Sequence, residues 1–114
     1  LAREIGRVFS YDATGGRYEE FDFTATGSGS VHARNWIKAS YKPELNQDEA
    51  INIAIRSLFA AADEDAGTGG PDLVRKIFPS VAVINKEGFE YLDDAAIEER
   101  ANALLAGPEQ GGDQ

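Results

Sequence analysis

An α+β fold with antiparallel strand pairing is what this sequence predicts, and three observations carry the prediction. Two segments rich in β-branched and aromatic residues, 5–26 and 77–92, are each interrupted by a glycine-bearing turn, which is the pattern of a β-hairpin. Between them, and again after the second, apolar residues recur at helical spacing. Within each hairpin the connection is too short for the crossover of about a dozen residues that parallel pairing needs. The predicted order is hairpin, helix, helix, hairpin, helix.

The first hairpin begins with a strand at Ile5 to Tyr11 (IGRVFSY), turns at Asp12-Ala13-Thr14-Gly15-Gly16, and returns as one or two strand pieces from Arg17 to Thr26. The paired glycines are expected to supply the positive φ of the turn. Gly27-Ser28-Gly29-Ser30 breaks the strand, and Ser30 is placed to cap a helix through Trp36 and Ile37 to about Ser40. Ala33, Trp36, Ile37 and Tyr41 fall near one face of it, and Lys42-Pro43 stops it.

The next helix starts at Asn46, with Glu49 three residues on in a capping-box arrangement. Its apolar stripe is Ile51, Ile55, Leu58, Phe59 and Ala62, and the run Asp65-Ala66-Gly67-Thr68-Gly69-Gly70-Pro71 ends it. Ile77 to Ile84 reads as a strand, with Val81–Ile84 buried on both faces. Asn85-Lys86-Glu87-Gly88 turns it into Phe89–Leu92. Asp93 or Asp94 caps a last helix bearing Ala96, Ile97, Ala101, Leu104 and Leu105 on one face. Residues 107–114 (GPEQGGDQ) lack apolar side chains and are expected to be a disordered tail, so that residues 1–106 form the domain.

Composition narrows the function classes. The 114 residues carry 20 acidic and 11 basic side chains, a net charge of −9, concentrated in the second half. Without a basic stripe, counterion release cannot drive binding to phosphate backbones, so neither nucleic acid nor an anionic membrane is expected as a partner. No run approaches the roughly 20 apolar residues of a spanning helix. The absence of cysteine removes thiolate metal sites and cysteine nucleophiles. A chain without methionine that begins at Leu1 is expected to be a processed piece or the tail of something longer.

The local motifs eliminate more than they identify. Gly27-Ser28-Gly29-Ser30 has His32 where a dinucleotide fingerprint needs its third glycine, and no Gly-Lys-Ser/Thr phosphate loop occurs. A strand-to-helix turn accounts for it. Counted as a calcium loop from Asp63, the sixth position is Thr68 and the twelfth is Val74, so the obligatory glycine and bidentate glutamate are missing. Acidic residues at 63–65 nevertheless oppose the helix dipole, which leaves room for a functional role there. His32, the single histidine, cannot build a histidine triad or a multi-histidine metal site, and reads as an exposed first-turn residue.

These segments, taken in order, resemble the C-terminal half of proteasome β subunits, most closely the actinobacterial ones, from about Gly6 to Leu105. The stretches that carry the resemblance are GRVFSYDATGGRYEE, the TGSGS loop, AADEDAGTGGPDLVRKIFPSVAVI and the closing helix. It implies the C-terminal half of a four-layer αββα sandwich with antiparallel sheets, of the N-terminal-nucleophile hydrolase type. It also implies a cytoplasmic threonine endopeptidase that degrades unfolded proteins inside a barrel-shaped 20S complex. In that family an N-terminal threonine attacks the scissile carbonyl, and its α-amine, with a pKa near ~8, serves as base. No cofactor or metal is implied.

Carried over by position, Ser28 matches the family serine beside the nucleophile, Asp65 the aspartate after the long helix, and Thr68 a hydroxyl position usually filled by serine. All three are expected to support the reaction without reacting. The implied partners are further β subunits in a heptameric ring, α-ring subunits, and a ring ATPase that feeds in unfolded proteins. In actinobacteria a small ubiquitin-like modifier marks the substrates. Leu1 is not a nucleophile, and the threonines here are all internal, so this chain alone is expected to be inactive. Two other readings are a catalytically silent module that docks into proteasome-like rings, and an unrelated acidic α+β binding domain.

Overall fold

The computed structural model describes residues 6–65 and 70–112, with side chains through 106. Its elements are β1 (Val8–Tyr11), β2 (Arg17–Glu20), α1 (Ser30–Ser40), α2 (Gln47–Glu64), β3 (Ala82–Asn85), β4 (Gly88–Tyr91) and α3 (Asp94–Gly112). The order is the one expected, and the class is α+β. Each hairpin is its own two-stranded antiparallel sheet.

In the first hairpin Val8 pairs with Glu20 and Tyr11 with Arg17. Its turn is organised by Asp12 as much as by glycine. One Asp12 oxygen accepts from the Thr14 N–H, the Thr14 hydroxyl and the Gly16 N–H, and the other accepts from the Tyr18 hydroxyl at 2.6 Å. Only Gly15 of the two glycines has positive φ, at 94°. Gly16 is needed for a different reason: a Cβ there would lie 2.6 Å from the Tyr18 hydroxyl and 2.7 Å from Asp12 Oδ2.

β2 stops at Glu20, short of the strand expected to run to Thr26. A strand persists only where its backbone groups find a ladder partner, and residues 21–26 have none among the described residues. Ser30 is likewise not the cap of α1. The N-cap is Gly29, without a side-chain bond, and Ser30 is the first helical residue. The Gly29 carbonyl accepts from the N–H groups of His32 and Ala33.

α2 forms as its capping box dictates: Asn46 Oδ1 accepts from the Glu49 N–H at 2.8 Å, and Glu49 Oε1 accepts from the Asn46 N–H at 2.9 Å. The core runs along this helix. Ile51, Ile55 and Phe59 pack with Ile97 and Ala101 of α3, with Leu73, Phe78, Val81, Val83 and Leu92 around them. Ile55 and Ile97 are fully enclosed, and burial of such a side chain stabilises by about 1.5–3 kcal/mol. Leu58, expected in this stripe, is 39% exposed and faces elsewhere, while Ser57 and Ala61 are buried. Beside the core, Arg100 clamps α3 to α2 through Asn52 at 3.0 Å and Asp48 at 2.8 Å.

β3 and β4 are joined by the expected turn, with Ile84 opposite Phe89 and Gly88 at φ 121°. The reading of Val81–Ile84 as buried on both faces is wrong: Ile84 is 78% exposed. One face of the ribbon packs on the helices through Val81, Val83 and Leu92. Its other face, with Ile84, Phe89 and Tyr91, has no layer over it among the described residues. Upstream of Val81 the β-pairing among the described residues of this segment is the isolated bridge between Asp72 and Ile77, so the strand is shorter than its apolar run.

Asp93 is the cap of α3, its Oδ1 accepting from the Ala96 N–H at 2.8 Å. The helix continues past Ala106 to Gly112, into the stretch expected to be a tail. Proline at 108 has no N–H for the Leu104 carbonyl four residues earlier. Arg56 of α2 supplies that donor, its Nη1 lying 2.8 Å from the Leu104 oxygen. A tertiary contact thereby meets the need that proline creates.

Candidate functional site

The loop between β2 and α1 and the inner side of α2 enclose a cleft of about 530 Å³. One wall is the loop 24–30 with Ala33 and Ile37 of α1 behind it; the other is Ala54, Ser57, Leu58 and Ala61 of α2, closed at one end by Gly70 and Pro71. This is where Leu58 points, and why it leaves the core stripe. Gly27, at φ 108°, makes the bend that brings the loop onto the cleft, and its carbonyl accepts from the Ser30 N–H at 3.1 Å.

Ser28 lies on this wall, exposed, between two glycines. Asp65 is the half-buried C-cap of α2, in extended conformation (φ −118°, ψ 102°), with its N–H bonded to the Ala61 carbonyl. It is one turn beyond the part of α2 that lines the cleft and is not itself on the wall. Thr68 lies outside the described residues.

The chemistry available on the wall is narrow. Among the described residues it carries hydroxyls (Thr24, Thr26, Ser28, Ser30, Ser57) and apolar groups, and no charged side chain. The proton of the buried Ser57 hydroxyl is already donated to the Ala54 carbonyl at 2.7 Å. A hydroxyl becomes a strong nucleophile only beside a base or with a lowered pKa. The described residues of this wall can therefore donate and accept hydrogen bonds around a bound backbone or a neighbouring reactive group, but none of them is a base.

His32 is half-buried where exposure was expected; it lines a small groove with Trp36, Ala60 and Glu64. Trp36 and Tyr41 are half-buried and lie outside the core cluster. The Arg56 guanidinium sits 4.6 Å over the Trp36 ring, and Tyr41 meets Phe23 with ring centroids 5.4 Å apart. The residue that sequence reasoning missed at the cleft is Arg34, whose guanidinium donates to the Ala25 carbonyl. Because the acceptor is backbone, no pairing of side-chain types could have pointed to it.

Helices packed beside antiparallel ribbons, with a glycine-flanked serine loop lining a cleft, agree with the resemblance found in the sequence. The family model described as proteasome subunit matches residues 2–76. The chain belongs to the proteasome subunit family. Proteins named proteasome subunit beta share 53% identity with it in Jonesia denitrificans (91% of this chain), 50% in Streptomyces griseus (90%) and 50% in Acidimicrobium ferrooxidans (90%). The actinobacterial β-subunit likeness is thus borne out. The chain spans only 34% to 37% of the length of these relatives.

Proposed function

We propose that this chain is the C-terminal part of a proteasome β subunit whose intact form is a threonine endopeptidase acting on unfolded proteins within a barrel of β and α rings. The observation that carries the reading is the position of Ser28: an exposed hydroxyl on a glycine-flanked loop, lining a cleft whose described residues offer hydrogen-bonding groups and no base. Such a wall suits a reaction whose nucleophile and base come from elsewhere. An N-terminal threonine supplies both, its hydroxyl attacking the carbonyl and its α-amine taking the proton.

In this reading Ser28, Asp65 and Thr68 hold the threonine amine and hydroxyl in their reactive orientation, as supporting groups must. The exposed outer face of the β3–β4 ribbon, with Ile84 and Phe89, is where the missing layers of a four-layer sandwich would lie.

The test is the full-length subunit assembled with its ring partners and assayed on a fluorogenic peptide. Activity should require the threonine-bearing half, and Asp65→Asn and Ser28→Ala should each lower kcat by about 10²-fold. An assembled particle that cleaves nothing would leave the chain a silent docking module, and full activity in both variants would remove the roles given to these residues.

A further inference from the structure

Residues 21–29 form neither strand nor helix, yet they shape one wall of the cleft. Three contacts tie this stretch to α1. Phe23 rests on Tyr41 at the C-terminal cap of α1, the Gly27 carbonyl accepts from the Ser30 N–H, and between these the Ala25 carbonyl accepts from Arg34 Nη2 at 2.5 Å. Ala25 is itself on the wall, three residues before Ser28. From there to the helix the chain contains Gly27 and Gly29, which restrict the backbone least of all residues. Order in this stretch must come from its tethers, and a charge-assisted bond to a carbonyl is the strongest kind of tether available to it.

We propose that Arg34 is a positioning residue for the cleft, fixing the loop on α1 so that the Ser28 hydroxyl is presented at one place on the wall. This rests on the role of Ser28 proposed above, and it adds a residue that does not touch the reacting atoms. Misplacement of a supporting group lowers turnover more than binding, since the loss falls on orientation in the transition state.

The test uses the full-length subunit in its assembled ring, with Arg34→Met (similar length, no donor) and Arg34→Lys (a charged donor group kept). Expected are a kcat about 10- to 100-fold lower for Arg34→Met with KM within about two-fold, and recovery of most of that loss in Arg34→Lys. Amide hydrogen exchange should quicken at residues 24–29 in Arg34→Met and stay unchanged along α2 and α3. Unchanged kcat in Arg34→Met overturns the proposal, whether or not the loop exchanges faster. Equal loss in Met and Lys variants overturns it as well. Unchanged exchange at 24–29 shows that Arg34 does not hold the loop. A wild-type particle without peptidase activity, or a fully active Ser28→Ala, defeats the Ser28 reading instead, and exchange then decides the tether by itself.

Discussion

Arg56 joins three helices through two contacts: its guanidinium lies 4.6 Å over the ring of Trp36 on α1, and its Nη1 donates at 2.8 Å to the Leu104 carbonyl of α3. The second contact fills the position of the helical bond that Pro108 cannot make. The first contributes a cation–π attraction that grows as the pair is desolvated. One side chain of α2 thus sets both its neighbours.

Arg56→Ala should therefore destabilise the fold by about 1.5–3 kcal/mol, the range for loss of a hydrogen bond to a charged group. The denaturant midpoint reads the loss, and tryptophan fluorescence should report the change around Trp36, the single tryptophan. A midpoint equal to wild type would mean that water replaces the guanidinium without cost.

Asn46→Ala removes half of the capping box and should cost about 1 kcal/mol, whereas Asn46→Gly should cost only a few tenths. Thermal unfolding followed by circular dichroism separates the two. If both variants melt together with wild type, α2 owes nothing to its cap.

Ile55→Ala and Ile97→Ala should each lower stability by about 2–5 kcal/mol, because both side chains are fully enclosed and leave a cavity. Ile84→Ala, 78% exposed, should fall within about 0.5 kcal/mol in this chain by itself. Urea titration of the three variants side by side checks the contrast.

Asp12 gives the first hairpin an acid limit. The Tyr18 hydroxyl, then the Gly16 N–H and the Thr14 hydroxyl, hold its carboxyl down at about 2. Since the folded value is below the unfolded one of about 4, the contribution is complete above pH about 4 and is lost as pH falls through about 2. Carboxyl NMR titration of Asp12 should show that low midpoint, and Asp12→Asn should abolish the dependence. A midpoint near 4 would mean that the turn does not form as described.

How much of this was legible beforehand differs from element to element. Asn46 and Glu49 announce α2 because a capping box acts within four residues, and the turn at 85–88 is local in the same way. The extent of the strands was not legible. Apolar runs such as 77–84 state that a segment wants burial, but only partner backbones determine which residues pair, and so β2 and β3 are shorter than their sequence patterns. The position of Leu58 was hidden for a related reason. Helical spacing gives a stripe about 100° wide or more, and its edge residues can face either of two neighbours.

At the cleft, Ser28 and Asp65 were named from motif order, yet only the first stands on the wall. Arg34 and Arg56 were not named, since each donates to a backbone carbonyl, and every residue has one. By itself the sequence determined the class, the order of elements, the N-cap of α2 and the family, and narrowed the cap of α3 to Asp93 or Asp94, all of which rest on local chemistry or on motifs in series. Tertiary structure alone decided where the strands stop, which way Leu58 turns, how α3 passes Pro108 and what holds the Ser28 loop. Those are settled by contacts between residues 9 to 48 positions apart, whose geometry exists only once the helices have packed.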